Sequence, residues 1–98
     1  MPHVSLAAKA RADIARLHRF LVDKDPAAAQ RAVVAMHKAF APLAHVPLMG
    51  RPTDDDVNLR ELVIDFGASG YLALYRYEAA LDAVTLLAVK HQREDDYK

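Results

Sequence analysis

HVPLMGRP, residues 45–52, divides this chain into two halves with different periods. Two prolines and a glycine in so short a stretch stop a helix, because proline lacks the N–H donor and glycine favours turns. Before it, apolar residues recur at helical spacing. After it, runs rich in Leu, Val, Ile and Tyr follow one another with short breaks.

Upstream, Ala29, Val33, Met36, Phe40 and Leu43 repeat as one helical stripe. Pro42 falls near its end and is expected to kink or terminate the helix. Asp25-Pro26 marks the start. Aspartate accepts hydrogen bonds from free N–H groups at a helix N-terminus, and proline fits the first helical position. A second stripe, Ala10, Ile14, Leu17 and Leu21, precedes it. The short VDKDP connection between the stripes predicts an antiparallel helical hairpin. Ser5 is a candidate cap for the first helix, although no Glu or Gln stands three residues later. HVSL, residues 3–6, is a short strand candidate.

Downstream, NLRELVID, YLALYRY and AVTLLAVKH read as three consecutive antiparallel strands, separated by FGASG and EAALDA. The predicted order is short strand, two helices, three-stranded meander. The fold class is therefore α+β, with the helical hairpin on one face of a small, mainly antiparallel sheet. Its 98 residues predict a single domain, 1–98, with residues 93–98 as a mobile tail.

Alternation places Arg60, Leu62 and Ile64 together on one face of their strand, and Leu72, Leu74 and Arg76 together on one face of theirs. A hairpin of these strands brings Arg60 and Arg76 to the same end. Two such cations need an anion between them. Glu61 or Glu78 would supply it internally; a ligand or partner would supply it from outside.

Composition narrows the function classes. Hydrophobic residues make up 53% and charged residues 27%, which is a folded rather than a disordered composition. There is no cysteine, so disulfides and thiolate metal sites are excluded, as suits a cytoplasmic protein. No apolar run reaches the roughly 18–20 residues of a membrane span, and the N-terminus lacks a signal-peptide layout. Thirteen basic residues balance thirteen acidic ones. A protein built on phosphate contacts usually carries a basic excess, so direct nucleic-acid binding is not expected except through a complex.

The clusters have plain readings beside the functional ones. Asp54, Asp55 and Asp56 lack the alternating layout of a calcium loop and read as a solvated connection; neither metal nor cofactor is expected. The histidines at 3, 18, 37, 45 and 91 show no i, i+4 pair of the kind that binds zinc on a helix. His91 ends the last strand beside Lys90, and a general acid or base there would need a partner within hydrogen-bond reach. Tyr71, Tyr75 and Tyr77 share a strand face, read as an amphipathic outer face or an interface rather than a base-stacking platform.

The chain as a whole resembles the RelE/ParE superfamily of toxins from type II toxin–antitoxin modules. The resemblance rests on A-x-A-D-I at 10–14, DPAAA at 25–29 and A-x-x-x-L-A-x-x-P-x-x-G-R-P across 39–52. It continues through R-E-L-V at 60–63, Y-L-A-L-Y-R at 71–76 and A-V-K-H-x-R-E-D at 88–95. One branch of that family cuts mRNA on the ribosome with arginines, lysines and a C-terminal Tyr or His. The other, ParE-like and of plasmid-stabilisation type, is thought to poison DNA gyrase.

In the cutting branch an arginine follows the first Tyr of the second meander strand; here that position is Leu72. The lysines that branch carries on the preceding strand are missing from NLRELVID. Gln92 stands where a late arginine is expected, with Arg93 adjacent, and Tyr97 alone stands in for the late tyrosine. RNA cleavage needs cations around the scissile phosphate, and leucine supplies none. The resemblance therefore implies a ParE-like, growth-inhibiting toxin that binds gyrase. The alternatives are a ribosome-dependent mRNA endoribonuclease and an inactive member that only binds antitoxin. Implied target-binding residues are Arg51, Arg60, Arg76, His91 and Arg93. The implied partner is an antitoxin whose C-terminal segment docks on Leu17, Phe20 and Leu21.

Overall fold

The computed structural model describes residues 1–97. Strand β1 (His3–Leu6) leads into helix α1 (Ala8–Val22) and helix α2 (Pro26–Phe40). A 3-10 turn, Ala41–Ala44, follows. Strands β2 (Arg51–Pro52), β3 (Leu59–Ile64), β4 (Tyr71–Glu78) and β5 (Ala83–His91) complete the chain. The architecture is the expected α+β one: a helical hairpin covers one face of a five-stranded sheet ordered β1-β5-β4-β3-β2. Among the described residues, only β1 and β5 pair in parallel.

Local chemistry sets most boundaries. The Asp25 side chain accepts the Ala28 N–H at 3.1 Å, with Pro26 at the first helical position. Pro42 converts the end of α2 into the 3-10 turn rather than a further α-turn. Ser5 does not cap α1. It lies in β1 opposite Thr85, and Ala7 takes the capping position without a side-chain bond. Residues 51–52, read from sequence as part of a turn, pair with Glu61 and Arg60 and form β2.

The core lies between the hairpin and the sheet. Ala10 and Leu17 of α1 and Ala32, Met36 and Phe40 of α2 meet Leu62, Ile64, Ala73, Val84, Leu86 and Val89. Tyr71 and Tyr75 belong to this core and are buried, and Tyr77 packs partly against it. That corrects the reading of the tyrosines as an outer face or interface. The period-two pattern was right, but their apolar rings face the helices and the leucines between them face out. The Tyr75 hydroxyl is satisfied inside, which is what allows so large a polar side chain to be buried.

A β-bulge breaks the β4–β5 ladder. Leu74 pairs with Ala88 and Tyr75 with Leu86, which leaves Leu87 without an opposite residue. The extra residue reverses the parity of the end of β5. His91, opposite Tyr71, therefore faces the helices, and Lys90, opposite Leu72, faces away.

Asp13, one turn along the α1 stripe from Ala10, is a buried charge. Its carboxylate accepts the buried Val89 N–H at 2.9 Å and a bond from Lys9 at 2.8 Å. Strand β1 stops opposite Leu86, so Asp13 supplies the acceptor that a longer β1 would have offered.

Candidate functional site

An apolar cleft of about 660 Å³ opens between the second half of α1, the β3–β4 turn and the end of β5. Leu17, Phe20 and Leu21 form one wall, and Phe66 and Tyr71 form the other. Phe20 is 64% exposed, and Lys24 sits 4.0 Å from its ring centroid. Gly67, at φ +63°, turns the β3–β4 connection over the cleft mouth in the left-handed region that glycine tolerates.

The polar rim is fixed by hydrogen bonds. His91 Nδ1 accepts the Arg93 N–H at 3.1 Å, so the ring proton of the neutral imidazole resides on Nε2. Nε2 lies 3.2 Å from Ser69 Oγ and donates to it. A serine nucleophile would need the reverse arrangement, an unprotonated imidazole nitrogen facing its hydroxyl. Ser69 and His91 thus form a structural pair rather than a nucleophile and base. Glu94 accepts from Arg16 at 3.3 Å and from the His91 N–H at 3.0 Å, tying α1 to the end of β5. The His91 ring stands edge-on to Tyr71 at 5.6 Å. Burial pushes the Tyr71 phenol above its ordinary value.

The opposite sheet face is differently built. Leu72 lies on it opposite Lys90, with Val63 as the other neighbour of Leu72. Lys90 is only 9% exposed; its ammonium donates to the Glu94 carbonyl and lies 4.9 Å from the Tyr97 ring. The Tyr97 hydroxyl donates to Glu61 at 2.7 Å, and Arg51 donates to the same carboxylate through Nε and Nη2. Burial and the Glu61 carboxylate together hold the Tyr97 phenol far above its usual value, so it stays protonated. Residues 93–97, part of the expected mobile tail, include the contact-making side chains of Glu94, Asp96 and Tyr97. Lys98 lies outside the described residues.

Partial burial pushes the Glu61 carboxyl up, but bonds from Tyr97 and Arg51 outweigh it and hold it below the usual range. A depressed carboxyl contributes stability above its unfolded value and loses it as pH falls through the folded value. Tyr97→Phe removes one of the three bonds and leaves the two from Arg51. The Glu61 titration, followed by carbon NMR, is expected to move to higher pH in that variant. An unchanged midpoint would show that the Tyr97 bond does not contribute and that the Arg51 and Lys90 charges suffice.

Arg60 and Arg76 do reach the same end of the hairpin but not the same face. Arg60 is paired with Tyr75 and Arg76 with Leu59, so their side chains leave opposite sides of the sheet. Neither Glu61 nor Glu78 bridges them. Arg76 binds Asp56 at 2.8 Å, which gives one residue of the aspartate run a definite partner. The Asp56 carboxyl is held below its usual value first by the Asn58 N–H and then by Arg76. Arg60 donates to the carbonyls of Val57, Leu48 and Gly50 at 2.8, 3.0 and 2.8 Å.

The structure therefore gathers Leu17, Phe20, Leu21, His91 and Arg93 around one cleft. It leaves Arg51 and Arg76 on the outer face and Arg60 among the loop carbonyls at the far end of β3. Phe66, Ser69 and Arg16 also line the cleft and were not singled out from sequence. FGASG carried the signal for the first two, as a turn with an aromatic residue at its start.

The chain resembles known proteins over most of its length. The family described as the ParE toxin of the type II toxin–antitoxin system parDE matches residues 4–96. Toxin RelE3 of Caulobacter vibrioides is 36% identical over 94 residues, covering 96% of this chain and 98% of the relative. Toxin RelE1 of the same organism is 36% identical over 73 residues, covering 74% and 76%. Among solved structures, a chain of the chromosomal ParDE system from P. aeruginosa superposes with a TM-score of 0.75 at 20% identity, covering 93% and 96%. One from the RelBE2 complex of Mycobacterium tuberculosis gives 0.63 at 22%, covering 95% and 93%. At those identities the two structures bear on the fold alone. No helix among the described residues is long and apolar enough to cross a membrane.

Proposed function

The chain belongs to the ParE toxin family of type II toxin–antitoxin systems, and from that membership we propose that it arrests growth by binding DNA gyrase. We assign the α1 cleft to a cognate antitoxin, whose C-terminal segment holds the toxin inactive by laying an apolar face against Leu17, Phe20 and Leu21.

The observation that carries the choice of a binding mechanism is the outer sheet face. A ribonuclease site built there would need cations free to hold a phosphate and a group able to move a proton. Leu72 occupies the centre. Lys90 is buried against the chain's own backbone and the Tyr97 ring. Tyr97 spends its proton on Glu61, and that carboxylate would repel a phosphate. The second reading is an mRNA endoribonuclease of the RelE type, and the two Caulobacter relatives carry the RelE name. Mapping transcript ends after induced expression distinguishes them. Intact transcripts are expected as growth stops; fragments that accumulate only while ribosomes translate would select the second reading.

A further inference from the structure

Four large apolar side chains stand exposed in the two loops before β3: Val46, Leu48, Met49 and Val57, at 47–66%. The loops are joined through Arg60. Its guanidinium donates to the Val57 carbonyl of one and to the Leu48 and Gly50 carbonyls of the other, at 2.8, 3.0 and 2.8 Å. One side chain thus holds the backbone of Val57 close to that of Leu48.

The 46–49 segment is itself a braced turn. The Val46 N–H donates to the Pro42 carbonyl at 2.9 Å, and the Met49 N–H to the Val46 carbonyl at 3.2 Å. From the core, the Tyr75 hydroxyl donates to the Pro47 carbonyl and accepts the Gly50 N–H. The backbone is therefore anchored inward while the apolar side chains remain in water. Such residues forgo the burial that usually stabilises them. A surface already held in one shape also loses less freedom when a partner covers it.

The surroundings restrict that partner. Asp54 and Asp55 are exposed in the same loop as Val57. The nearby cation, Arg60, is engaged with carbonyls. A phosphate backbone would be repelled by the two carboxylates, and a second copy of this surface would bring four of them together. A protein surface with an apolar centre and a rim of Lys or Arg is complementary. The α1 cleft lies at the other end of the β3–β4 hairpin. Tyr71, paired with Ile64, lines that cleft, whereas Arg60 is paired with Tyr75 near the start of β3.

We propose that Val46, Leu48, Met49 and Val57 form the surface by which the toxin grips its protein target, at an apolar patch rimmed by Lys or Arg. Asp54 and Asp55 meet that rim, and Arg60 is a positioning residue that holds the two loops together. The inference deepens the growth-arrest reading above and rests on it for the identity of the target, gyrase.

The test uses the full chain, purified gyrase, relaxed plasmid and the antitoxin. Leu48→Lys and Val57→Lys are each expected to raise the toxin concentration that halves supercoiling by about tenfold or more. Each is also expected to relieve growth arrest on induced expression. Antitoxin affinity is expected to stay within about twofold of wild type, which shows that the variants fold. Joint replacement of Asp54 and Asp55 by Lys is expected to cost about threefold, fading as salt is raised. Val34→Lys, at an exposed position on α2, is expected to inhibit as wild type does. Wild-type inhibition by both Leu48→Lys and Val57→Lys would overturn the proposal. So would weakened antitoxin binding with undiminished inhibition, which assigns the surface to the antitoxin. A free chain that is dimeric until Leu48→Lys makes it monomeric would assign it to a second copy, again overturning the proposal. If the wild type arrests growth but leaves gyrase active, the gyrase reading fails by itself. Loss of arrest in Leu48→Lys then supports the surface, and retained arrest overturns it. A wild type that neither arrests growth nor inhibits gyrase overturns both.

Discussion

Tyr75→Phe is expected to lower the stability of the chain by about 2–3 kcal/mol, a large share of what so small a domain holds. The ring would still fill its place in the core, so the loss comes from the hydroxyl alone. That oxygen accepts the Gly50 N–H at 2.9 Å and donates to the Pro47 carbonyl at 2.9 Å. Deleting it strands two backbone groups, at least one of them in the protein interior. Arg60 holds the same loop from the strand beside Tyr75, through Leu48 and Gly50. Urea unfolding of both proteins checks the figure. A difference under about 0.5 kcal/mol would mean that the loop supplies other partners.

Phe20→Asp is expected to weaken antitoxin binding by about 2 kcal/mol or more, roughly thirtyfold, with little effect on folding. The argument depends on the contrast along α1. Leu17 is buried in the core, so a charge there would unfold the chain and report nothing about a partner. Phe20 is 64% exposed and contributes its ring to the cleft wall rather than to the core. Isolated exposed aromatics are ordinary. One that joins Leu17, Leu21, Phe66 and Tyr71 in a single concave surface is the kind of anchor on which interfaces concentrate their energy. Calorimetric titration with the antitoxin measures the change, and thermal melting of the free variant controls for folding. Wild-type affinity in the variant would move the antitoxin off this cleft.

The fold was largely legible because its boundaries are local. Asp25-Pro26, Pro42 and the HVPLMGRP stretch act through backbone geometry within a few residues, and the structure places a boundary at each. The relations that sequence could not supply are those set by pairing between distant strands. Alternation correctly grouped Arg60 with Leu62 and Arg76 with Leu72, but only the β3–β4 register shows that these groups lie on opposite faces. The bulge at Leu87 leaves no mark in AVTLLAVKH, yet it sends His91 into the cleft and Lys90 to the other side. Asp13 looked like a charge interrupting an apolar stripe; its role depends on Val89, 76 residues away. The tyrosines were misread because phenols suggest a wet surface unless a buried partner is known, and the partner of Tyr75 is a loop carbonyl.

The cleft was legible in part. Leu17 and Leu21 lie on the stripe read from helical spacing, while Phe20 was named with them only through the family resemblance. His91 and Arg93 were singled out for a different role, and the fold brings them to the same rim. Arg60, taken as a target-binding cation, has its Nε and Nη1 engaged with three carbonyls. Positive charge in a sequence does not reveal whether the chain's own backbone will use it.

The most direct test of a toxin that binds gyrase rather than cutting RNA is a supercoiling assay with purified gyrase, relaxed plasmid and the antitoxin-free chain. Loss of supercoiling that rises with toxin and is reversed by adding antitoxin is the predicted result. Full supercoiling at toxin concentrations that halt translation in a parallel extract would contradict it.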